Sequence, residues 1–156
     1  MKAKIGIKEE DLVKIAEILD KLLADEQVLY IKTRNAHWNI EGPDFHTAHV
    51  YLESLYNELA IHIDSIAERS RSLGHYAVGK FKQYLELTRL SEMQTEKNDS
   101  LSYYKELLSD HESIAMSLRA DIEIISETND AGTEDFLTSL LEYHEKTAWM
   151  LRSRLG

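Results

Sequence analysis

Residues 35–69 read NAHWNIEGPDFHTAHVYLESLYNELAIHIDSIAER, and the spacing within this stretch decides the fold. Gly42-Pro43 punctuates it, because glycine permits a turn and proline is tolerated only in the first turn of a helix. One helix therefore closes around His37, and a second runs from about Pro43 to Leu73. On the second helix Phe45, Leu52, Leu55, Leu59, Ile63 and Ile66 recur at helical spacing and form a core stripe. A polar stripe runs beside it. At about 100° per residue, His49, Glu53, Asp64 and Glu68 fall at roughly 0°, 40°, 60° and 100° around the axis.

Residues of these types suit borderline or hard divalent metals, and the chain has no cysteine to compete. His49/Glu53 and Asp64/Glu68 are each spaced i to i+4, so each pair can clasp one side of an ion. At a rise of ~1.5 Å per residue, however, His49 and Glu68 lie roughly 28 Å apart, too far to share a coordination shell. The helix thus carries two half-sites. A two-fold axis near Glu58, with the same helix of a second copy running antiparallel, sets 49 and 53 of one copy opposite 64 and 68 of the other. His37 then joins the histidine side. His46 and His62, at about 60° and 220° from His49, are read as surface or packing residues.

The rest of the chain supplies a bundle. Leu12, Ile15, Ile18, Leu19, Leu22, Leu23 and Leu29 recur at helical spacing from about Lys8 to Ala36. Val78, Phe81, Tyr84 and Leu85 predict a short helix within 78–87. Asn98-Asp99-Ser100 caps a further helix running to about Thr128, whose inward positions include Leu101, Tyr104, Leu107 and Ile114. A turn over 128–133 leads to a last helix, Thr133 to Arg154, expected to bury Phe136, Leu137, Leu140, Leu141 and Trp149. The 156 residues read as one domain, 1–156, with 1–7 as a short N-terminal arm. Fold class is all-α: four long helices and one short one. No glutamate stands three residues before a histidine, so the Glu-x-x-His pairs that build an iron site inside a single bundle are absent.

A formal net charge of −10 argues against a general nucleic-acid surface and suits the attraction of cations. No apolar run approaches the ~20 residues of a membrane span, and the N-terminus lacks a secretory hydrophobic core. The expectation is a soluble, cytoplasmic protein.

The segment Asn35-Ala36-His37-Trp38-Asn39-Ile40-Glu41-Gly42-Pro43-Asp44-Phe45, with His49, Glu53, Leu55-Tyr56, Glu58 and Ile63-Asp64-Ser65-Ile66-Ala67-Glu68-Arg69, resembles the signature of the Dps miniferritins. Gly132 to Thr138 and His144 to Arg152 resemble that family's last helix. The resemblance implies a ferritin-like four-helix subunit with a short extra helix between the second and third, lying against a two-fold contact. It further implies a hollow dodecamer of tetrahedral symmetry and ferroxidase sites shared between two-fold-related subunits. His37, His49 and Glu53 would come from one subunit, Asp64 and Glu68 from the other, with two iron ions per site. The family often has aspartate where this chain has Glu53.

The activity implied is oxidation of ferrous iron, preferably by hydrogen peroxide, with storage of the ferric product in the shell and protection against oxidative damage. Trp38 beside His37 is read either as a sacrificial electron donor or as packing. Asp130, Glu134 and Asp135 correspond to a segment that lines a three-fold pore in the family, though acids at a helix N-terminus are also favoured by its dipole. Some relatives bind DNA through lysine-rich arms. Here Lys2, Lys4 and Lys8 are followed at once by Glu9, Glu10 and Asp11, so little DNA binding is expected. Two other readings stay open: a nucleoid-binding module, and a structural oligomer holding a redox-inert ion such as zinc.

Overall fold

The computed structural model describes residues 3–156. Five helices follow one another: α1 (Glu9–Asn39), α2 (Phe45–Ser72), α3 (Phe81–Leu87), α4 (Ser100–Ser126) and α5 (Ala131–Leu155). Of the arm expected at 1–7, Ile7 packs against the core, whereas Lys2 lies outside the described residues.

α1 runs three residues beyond Ala36 and so carries His37 in its last turn. It stops because Ile40 turns extended and Gly42 takes a φ of 126°, which only glycine adopts without strain. α1 packs along α2, and α4 along α5. The connection from α2 to α4 is long, as in bundles with a crossover, and α3 within it lies on α1. At the other end, the Glu41 amide donates to the Asn98 carbonyl oxygen (2.8 Å), joining the α1–α2 turn to the start of α4.

Leucines and isoleucines of all four long helices fill the core, among them Leu19, Leu22, Leu52, Leu59, Leu107, Leu118 and Leu137. Burying such a side chain contributes about 1.5–3 kcal/mol, and this drives the assembly of helices whose individual propensity is marginal. Three expected core residues face outward: Phe45 is 45%, Leu101 56% and Trp149 61% exposed. Leu101 and Trp149 sit on the outer surface of the α4–α5 pair and Phe45 at the start of α2, where the helical period is right but no helix among the described residues covers them.

Polar clamps hold the crossover. Asp25 on α1 accepts from Arg89 Nε (2.7 Å), and the same guanidinium donates to Asp121 on α4 (2.8 Å). Lys32 joins Glu106 (3.0 Å) and Asp110 (2.7 Å) on α4 and donates to the Ser91 carbonyl oxygen (3.1 Å). Asp99 caps α4 by accepting from the Ser102 amide (2.9 Å), as its sequence position predicts.

Candidate metal centre

The turn between α1 and α2 brings His37 and His49 together. His37 donates from Nδ1 to the carbonyl oxygen of His49, and His49 donates from Nδ1 to the carbonyl oxygen of His37, both at 2.9 Å. A carbonyl can only accept, so Nδ1 carries a hydrogen on each ring, and Nε2 is the nitrogen that could offer a lone pair to a metal ion. The rings stack with centroids 3.7 Å apart. Phe45 stacks on the far face of His49 at 5.0 Å, and Tyr56 stands edge-on to His37 at 5.2 Å. These contacts fix the orientation of both rings, and a preordered pair of this kind would bind an ion at a lower entropic cost.

Glu53 lies one turn beyond His49 and is exposed; the Tyr56 hydroxyl is 3.5 Å from its Oε1. Asp64 and Glu68 are exposed near the other end of α2. Thus His37 and His49 meet at one end of α2 with Glu53 one turn further along it, while Asp64 and Glu68 stand near the other end. Among the described residues, no three His, Asp or Glu side chains converge in a way that could hold an ion within one chain. Trp38 is 60% exposed and lies beneath the Arg34 guanidinium (4.7 Å), which also covers the rings of Tyr30 and Tyr56.

The comparisons with known proteins bear on this arrangement. A ferritin-like domain model matches residues 16–156. The DNA protection during starvation protein 2 of Bacillus anthracis is 37% identical over 91% of this chain and 97% of its own length. The chain belongs to the Dps branch of the ferritin-like family. A low-temperature-induced protein of Nostoc is 39% identical over 96% of this chain and 84% of its own. The crystal structure of the Dps protein from Vibrio cholerae O1 superposes with a TM-score of 0.94, at 32% identity, over 99% of this chain and 97% of that one. That protein is described as a member of a broad superfamily of ferritin-like diiron-carboxylate proteins.

For this Dps chain, one expectation needs correction at Asp130. Asp130 is buried and does not face a passage: its Oδ1 accepts from the Thr133 amide (3.0 Å) and from Arg69 Nη2 (2.7 Å), while Arg69 Nε donates to Thr133 (2.9 Å). It caps α5 and ties that helix to the end of α2. Asp135 remains exposed and Glu134 half-buried.

The bundle interior lacks Glu-x-x-His pairs yet holds polar residues: Glu26, His111 and His144 are completely buried, and His62 packs edge-on against Tyr143 at 4.3 Å. A signal for them was present. His111 stands four residues after Leu107 and three before Ile114, and His144 four after Leu140, so both occupy the inward row of their helices.

Proposed function

We propose that this chain is a ferroxidase and iron-storage subunit of a hollow dodecamer in the cytoplasm. It oxidises ferrous iron with hydrogen peroxide at sites shared by two-fold-related copies and holds the ferric product inside the shell. His37, His49 and Glu53 of one copy and Asp64 and Glu68 of the second are the ligands for two iron ions. The carrying observation is the reciprocal His37–His49 bonding through Nδ1, which leaves Nε2 of both imidazoles unengaged by the backbone, with the exposed Glu53 one helical turn beyond His49.

The exposed apolar surface around α3 supports a two-fold partner. Ile31, Trp38, Phe81 and Leu85 line a groove between α1 and α3 and are between 47% and 75% exposed. A second copy laid there removes this area from water. In the reaction each ferrous ion gives up one electron, and two such electrons reduce one peroxide to the oxygen level of water. Carboxylate ligands favour the ferric product, and the fixed histidines keep the ions in place. Consuming iron and peroxide together prevents hydroxyl-radical formation, so the activity is protective.

The test is anaerobic titration of the assembled protein with ferrous iron, followed by peroxide or oxygen, with ferric absorbance recorded. Rapid oxidation at a stoichiometry of two ions per site, faster with peroxide, is the expected result. Ferrous binding without oxidation by either oxidant overturns it in favour of a structural metal. Retardation of DNA at physiological salt would instead favour the nucleoid-binding reading, which the net charge of −10 opposes.

A further inference from the structure

The iron chemistry makes no use of the polar group inside the bundle. Each long helix contributes to it: Glu26 from α1, His62 from α2, His111 from α4, and Tyr143 with His144 from α5. Glu26 Oε1 lies 2.7 Å from His144 Nε2, and His144 Nδ1 lies 2.9 Å from His111 Nδ1. All three residues of this chain of bonds are fully excluded from solvent.

A 2.9 Å contact between two ring nitrogens seats one hydrogen. One nitrogen donates and the other must present its lone pair, so the two imidazoles cannot both be doubly protonated while they touch. Among the described residues His111 Nε2 has no hydrogen-bond partner, so an N–H formed there would be left unsatisfied. The titratable groups facing this core are few. α1 offers Glu26, already engaged by His144; α2 offers His62, Tyr51 and, at the rim, Glu58, whose Oε1 is 3.7 Å from His62 Nε2; α5 offers Tyr143 beside His144.

We propose that the Glu26–His144–His111 chain is a proton-operated latch between α4 and α5. A proton beyond what its hydrogen bonds can seat breaks the His111–His144 contact, and α5 loosens from α4 in mildly acid solution.

Burial, then the neighbouring His144 and His62, holds His111 well below the ordinary histidine range. The unfolded chain takes up this proton near pH ~6.5, the folded one only at lower pH. The unfolded state therefore binds more protons below that point. Stability from His111 is fully present above pH ~6.5 and is lost as pH falls toward the depressed value. It changes the opening equilibrium by up to about tenfold per pH unit.

The test is backbone hydrogen exchange on the assembled wild-type protein at about pH 7.5 and about pH 5, corrected for intrinsic rates, with iron omitted. The expected result is lost protection concentrated around His111 and His144, at least tenfold greater than around Leu19 and Leu22 of α1. His111→Leu, which cannot be charged, should reduce that difference. Should this variant not fold, exchange of the histidine ring C2 hydrogens in the wild-type protein gives the His111 titration directly, expected well below the ordinary histidine range. Uniform loss of protection across the helices, or His111 titrating in the ordinary histidine range, overturns the latch. So does a metal ion retained at pH 7.5 by a His37→Ala/His49→Ala shell and released on replacing His144, which would make the cluster an ion site.

Discussion

His37 and His49, twelve residues apart and on different helices, each donate from Nδ1 to the other's backbone carbonyl oxygen at 2.9 Å. The turn at Gly42 and the two imidazoles therefore form one unit. A change in either histidine also removes the partner of the other's backbone. Replacing both with alanine should reduce iron oxidation on the order of a hundredfold or more, since losing even outer-shell support of a metal ligand costs 10–100-fold. Two lost hydrogen bonds predict a stability decrease of about 1–3 kcal/mol. Circular dichroism should show nearly unchanged helix content, and loss of fold with activity would return both residues to a purely structural role.

Asp130→Ala should act on stability and leave iron entry alone, because the carboxylate caps α5 and accepts from Arg69. A cap of this kind contributes about 0.5–2 kcal/mol. Thermal melting checks the decrease, while initial uptake rates below the melting range should match wild type. Asp135→Asn is the contrasting change: this exposed acid, if it steers cations, slows uptake at low salt and leaves stability unaltered.

Native mass measurement should give an assembly near twelve times 18.0 kDa. Aspartate at both Phe81 and Leu85, exposed on α3, should shift that mass downward by placing charge where a second copy buries apolar surface. A wild-type monomer that still oxidises iron rapidly would end the shared-site reading.

Hybrid shells test the division of ligands between copies. One inactive variant lacks His37 and His49, another lacks Asp64 and Glu68, and the two are dissociated and co-assembled in equal amounts. A mixed two-fold pair has one doubly damaged site and one assembled from intact halves. With random pairing about half the pairs are mixed, so about a quarter of all sites recover oxidation. A co-assembled shell that stays inactive would show that no site is divided this way.

By itself the sequence determined where the helices lie and how far apart the ligand pairs stand. Helical period and rise are local properties of the backbone, so the i to i+4 pairs and the roughly 28 Å between His49 and Glu68 follow without any knowledge of packing. The same holds for the Gly42-Pro43 break and the Asp99 cap, which depend on nearest neighbours. Only the tertiary structure decided which stripes are covered. Trp149 and Leu101 keep the right period yet face outward, and Asp130 turns inward to Arg69, because burial depends on the helix that lies opposite. The inward rows of α4 and α5 placed His111 and His144 inside, but their mutual bond and the link to Glu26 needed the helices brought side by side. The pairing of His37 with His49 likewise needed the turn to be folded before two separate histidines became one site.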